Sequence, residues 1–149
     1  MTTSDHETAE RLGRKRARLL PLFAILFLTQ QTLFFSDPGT NGARPVDYVR
    51  VAGWLAMSVV LLLVLATGGY WFRSAEVRAL MNDEATRAHR ADAFRFGFFA
   101  AMIACIGLYL VSFYDALGGR EALHLVMSCG IAAAFLRFGM LEGRAYGDG

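Results

Sequence analysis

RSAEVRALMNDEATRAHRADAFR, residues 73–95, stands between two long apolar runs, and how it is read decides the fold. It holds five arginines and four carboxylates. Charge at that density belongs in water or at a lipid headgroup surface, because an ion moved into hydrocarbon loses its hydration. Working outward, the chain changes character on both sides. The runs at residues 19–35, 51–72, 96–114 and 122–140 contain no Asp, Glu or Lys and a single Arg, Arg137. Their lengths of 17, 22, 19 and 19 residues match a hydrocarbon core about 30 Å thick, crossed at ~1.5 Å per residue.

The sequence therefore predicts an all-α polytopic membrane protein. Four transmembrane helices are expected as an antiparallel up-down bundle, with a cytoplasmic extension of the third helix. Of the 149 residues 55% are hydrophobic, and 77 fall in the four runs, leaving no segment long enough for a separate soluble domain. The parts are a basic tail at residues 1–18, a transmembrane domain at 19–140 with the connector 73–95 inside it, and a tail at 141–149. Residues 1–10, MTTSDHETAE, have little apolar surface to bury and are expected to be disordered.

The basic residues set the orientation. Arg11, Arg14, Lys15, Arg16 and Arg18 abut the first run, the connector carries five more, and Arg137 and Arg144 lie near the carboxyl end. The two intervening loop regions hold only Arg44, Arg50 and Arg120. A bias of 12 to 3 that alternates at every crossing puts both termini and the connector in the cytoplasm. A basic flank before an apolar run also fits a signal peptide, but no small-x-small cleavage pattern follows it, so the helix is expected to be retained. Pro21 then falls in its first turn, where a missing amide hydrogen matters little. Lys15 is the only lysine, and the arginine and alanine bias points to a GC-rich bacterial genome and a bacterial cytoplasmic membrane.

Polar residues inside the spans are few, among them Gln30, Gln31, Ser58, Thr67, Tyr109, Ser112, His124, Ser128 and Arg137. None is a carboxylate, which speaks against a proton-coupled small multidrug exporter. Arg137, three residues from the end of its run, can reach the headgroups with its long stem. Cys105 and Cys129 stand singly with no CxxC pattern, so neither zinc nor a redox pair is expected. His89 and Asp92 are three apart and could hold one edge of a metal site, though a hydrated helix face explains them as well. No cofactor, metal or nucleic-acid pattern emerges, and no nucleophile–base pair or phosphate loop points to an enzyme.

In the connector, Asn82 or Asp83 can cap the third helix, with Asp83 and Glu84 against its dipole. Asp83 and Glu84 are spaced to pair with Arg87, and Arg90 stands one turn further on. Beside them runs a stripe of Val77, Met81, Ala85, Ala88 and Ala91, expected to pack within the chain or on a second copy. Small residues at four-residue spacing, Gly97, Ala101 and Cys105 against Ser128, Cys129, Gly130, Ala132, Ala133 and Ala134, predict a tight hairpin of the third and fourth helices. The bulkier first helix is expected to face lipid or a partner.

At LMNDEATRAHRADAFRFGFF, within residues 79–99, the chain resembles a group of small bacterial inner-membrane proteins with four spans and a charged segment before the third. That resemblance implies a four-span layout, singles out Asp83, Glu84, Arg87 and Arg90 as interaction residues, and names no activity. The expected function is that of an integral inner-membrane protein acting through protein contacts, as an oligomer, assembly partner or regulator. Its partners would be the lipid bilayer and a second copy or another membrane protein, with no nucleic acid. The alternative is a transporter or channel for a small neutral solute or lipid, and a third reading, a haem or quinone carrier, rests on His124 alone.

Overall fold

The computed structural model describes residues 3–35, 45–68, 84–116 and 118–147. They form four helices, α1 (Thr3–Phe35), α2 (Pro45–Thr67), α3 (Glu84–Val111) and α4 (Gly119–Gly147). Three contain stretches long and apolar enough to cross a membrane: Tyr48–Thr67, Glu84–Val111 and Gly119–Ala145. The all-α, membrane-type architecture read from the apolar runs is thus present.

The fourth helix is the hub. Among the described residues α1 and α3 pack extensively along α4, while α2 touches it much less. On the α3 side the approach is backbone to backbone. A Cβ on Gly97 would stand 2.7 Å from the Gly130 carbonyl oxygen and 2.8 Å from the Ala134 Cβ, so the seam closes only because Gly97 has no side chain. The expected hairpin is formed, although Cys105 and Cys129 both remain exposed beside it.

The first helix differs from expectation in three ways. It begins at Thr3 and runs through the basic stretch, so residues 3–10 are helical. Pro21 therefore lies deep inside the helix, where it removes one backbone hydrogen bond. Its ring is housed by α4: a Cβ on Gly139 would fall 2.8 Å from both Pro21 Cγ and Cδ. Finally, α1 is only half lipid-like. Leu22, Phe23, Ile25 and Leu26 are exposed, but Leu20, Ala24 and Phe27 join Phe135 and Phe138 in the core. Burial of this second face carries the helix back through a polar segment that could not hold it alone.

Contacts fix the directions. Arg16 meets Glu142 and Pro21 lies on Gly139, so α1 and α4 are antiparallel. His89 meets Glu142 and Gly97 meets Gly130, which makes α3 antiparallel to α4 as well. Helix α2 runs parallel to α4, with Trp54 on His124 at one level and Ala66 beside Arg90 near the other end. The end of α2 is closed by Gly68 at φ 81°, whose amide donates to the Val64 carbonyl at 2.9 Å. Such a left-handed cap suits glycine because it has no Cβ. At the opposite end α3 unwinds through Asp115, and Glu121 reaches back to the Gly118 amide at 3.4 Å as α4 begins.

Candidate functional site

At the end where α1 carries its cations, three helices bring charged groups together. Arg16 of α1 is 5% exposed and Glu142 of α4 is 1% exposed. An Arg16 guanidinium nitrogen donates to Glu142 Oε2 and, at 3.2 Å, to Thr86 Oγ1 of α3. His89 Nδ1 lies 3.1 Å from Glu142 Oε1, so both carboxylate oxygens are engaged. Phe138 closes the floor, with its ring centroid 5.4 Å from the Arg16 guanidinium carbon. Beside this knot Arg90 donates to the Ala66 carbonyl at 2.8 Å, placing a cation at the carboxyl end of α2 where the helix dipole favours it.

One turn deeper Arg137 donates to Asp92 Oδ2 at 2.7 Å, and its guanidinium carbon stands 5.8 Å from the Phe96 ring centroid. Arg137 is therefore paired with Asp92 of a neighbouring helix. His89 and Asp92 are drawn to different partners, Glu142 and Arg137. Among the described residues no group of three or more His, Cys, Asp or Glu could hold a metal ion.

Of the residues singled out in the connector, Asp83 lies outside the described residues, together with Asn82, Val77 and Met81. Glu84 opens α3, and Glu84 and Arg87 are both exposed. No ion pair joins these two among the described residues. Arg90 alone turns inward. Ala85, Ala88 and Ala91 are exposed too, so the described part of the small-residue stripe is not packed within the chain. The charged helix thus has two sides, with Thr86, His89 and Ala93 facing α4 and α1, and Glu84, Arg87 and the alanines facing away.

Arg16 and Glu142 do not stand out as a pair in the local sequence. Arg16 was one of five cations in a flank whose orienting role explains all of them, and Glu142 lay beyond the last apolar run. A signal was present in each case. Arg16 continues the spacing of Leu20, Ala24 and Phe27 back by one turn, and Glu142 extends that of Ile131, Phe135 and Phe138 forward by one. The other four cations, Arg11, Arg14, Lys15 and Arg18, share the outer face of α1 around an open cleft of about 410 Å³.

A second polar patch lies further along the spans, between α2 and α4. Trp54 and His124 stack with ring centroids 4.2 Å apart and planes inclined by 28°. Ser58 and Ser128 are buried with them, and the Ser128 hydroxyl donates to the His124 carbonyl at 2.7 Å. The Trp54 indole nitrogen and the Ser58 hydroxyl are buried without a hydrogen-bond partner.

No family model matches the chain, and neither a curated protein nor a solved structure matches it.

Proposed function

We propose that the chain is a four-span protein of the bacterial cytoplasmic membrane that acts through protein contacts and has no catalytic activity of its own. In this reading α1 supplies the fourth span from residue 19 onward, and both termini and the connector are cytoplasmic. The outer basic face of α1 then meets the anionic headgroups of the inner leaflet. About 18 Å of α3, residues 84–95 at ~1.5 Å per residue, stands at or beyond the headgroups.

The observation that carries the reading is the two-sidedness of that projecting segment. Its inner side is fixed to α1 and α4 by His89 and Thr86, which makes it a rigid platform. Its outer side offers Glu84, Arg87 and three exposed alanines to whatever lies alongside. Alanines allow close approach, and the two charges supply register.

Mass determination of the detergent-solubilised protein, with crosslinked recovery from its native membrane, tests this. A defined oligomer or a stoichiometric companion is expected. Arg87→Glu should reduce that assembly by at least about tenfold, equivalent to ~1.4 kcal/mol, while membrane insertion is unchanged. Full assembly of the variant would remove the face from consideration.

A further inference from the structure

We propose that Trp54, Ser58 and His124 form a binding site, between α2 and α4, for a neutral lipid-soluble carbonyl compound of the quinone type. Trp54 is 7% and Ser58 1% exposed, yet the indole N–H and the serine hydroxyl have no partner. Both can donate, and the indole can do nothing else. Four residues apart on one helix, they lie one turn from each other on the face that meets α4. The stacked Trp54 and His124 rings supply a flat wall beside them. The Ser128 hydroxyl is already turned to its own helix, so the two free donors belong to α2.

The ligand class follows from what these groups lack. No charged residue occurs in α2 between Val51 and Thr67, or in α4 between Ala122 and Leu136. An ionic ligand would find no counter-charge there, whereas the carbonyl oxygen of a neutral planar compound accepts from both donors at the edge of the Trp54 ring. Access is lateral, from the lipid. Among the described residues α2 packs on α4 less extensively than α1 and α3 do, and Leu55 and Val59 on its outer side are exposed. The inference concerns binding alone and does not depend on the contact face of α3.

Trp54 reports on the site directly. In the Trp71→Phe background it is the sole tryptophan, since the chain has two. With the full chain in phosphatidylcholine nanodiscs, a short-tailed 1,4-benzoquinone should quench Trp54 emission saturably, at one molecule per chain. Ser58→Ala should raise the midpoint by about 5- to 10-fold, the effect of one lost hydrogen bond. Val59→Ala, on the lipid side of the same turn, should leave the midpoint in place. Trp54→Phe keeps a ring but removes the indole donor, and should weaken equilibrium binding of the radiolabelled quinone by a similar factor. Quenching that rises linearly without saturation, as collision in the bilayer gives, overturns the proposal. So does an unchanged affinity in both Ser58→Ala and Trp54→Phe, or a shift in Val59→Ala as large as in Ser58→Ala.

Discussion

The two polar regions of this molecule handle buried polarity differently: charge is paired across helices in one, and neutral donors are left without any partner in the other. At the basic end, Arg16, Thr86, His89 and Glu142 hydrogen-bond one another across three helices and both carboxylate oxygens are engaged, with only the inner Arg16 Nε of that group buried and unpaired. Between α2 and α4, Trp54 and Ser58 are equally buried and keep a donor each unpaired. The first region ties α1, α3 and α4 to one another, whereas the second lies under α2, which among the described residues packs least on α4. A paired buried charge is costly to disturb because the partner left behind is stranded in a low-dielectric surround. An unpaired donor strands nothing when it is removed.

The contrast is broken most directly at Glu142. Glu142→Gln keeps the shape and removes the charge, leaving Arg16 buried beside a neutral amide. A loss of about 3–5 kcal/mol is expected, read from denaturant unfolding in detergent micelles. Arg16→Met combined with Glu142→Met should restore most of that loss, since no charge then remains to be stranded. If the double variant is as unstable as the single one, the knot contributes through net attraction and the stranding argument fails.

Between the two regions lies the seam at Gly97, which sets how closely α3 and α4 can approach. Gly97→Val forces atoms into the 2.7 Å gap before the Gly130 carbonyl, and this obstacle is backbone that cannot rotate away. A loss of about 1–3 kcal/mol is expected, with His89 and Glu142 driven apart. The same unfolding measurement checks the magnitude. If Gly97→Val and Glu142→Gln are non-additive, the seam is what holds the knot in register.

How much of this was legible can be judged from the same residues. The apolar runs foretold helices, and the Gly97 and Gly130 spacing foretold the hairpin, because both patterns are local and periodic. The knot was not foretold, since its members are separated by 70 and 126 positions in sequence and each has an innocent local explanation. Arg16 sits among orienting cations, Thr86 and His89 in a helix that reads as solvated, and Glu142 in what reads as a tail. Only continuing the buried stripes of α1 and α4 past their apolar limits brings Arg16 and Glu142 onto facing sides. Pro21 misled for a related reason, because a start signal for one helix is an interior feature of a longer one whose extension depends on tertiary contact.

A milder comparison uses the second ion pair. Arg137 and Asp92 are 35% and 45% exposed, against 5% and 1% for Arg16 and Glu142. Exposure to its surroundings screens the outer pair, so Asp92→Asn should lower stability by only about 1 kcal/mol or less. A loss as large as that of Glu142→Gln would mean that depth in the bilayer, and not enclosure by protein, sets the worth of a charge in this fold.

The smallest effect is the sharpest on the other side of the comparison. Ser58→Ala removes a hydroxyl that is buried without a partner, so it should not destabilise the protein. A gain of about 0.5 kcal/mol is expected in ligand-free protein, since the unpaired group disappears while an oxygen-sized gap is all that is left. The sign carries the argument. A substitution that stabilises the empty protein yet weakens quinone binding identifies a group kept for a ligand at the expense of the fold. A clear loss of stability would show that the Ser58 hydroxyl is satisfied inside the protein by the carbonyl one turn back, and the two regions would then handle polarity in the same way.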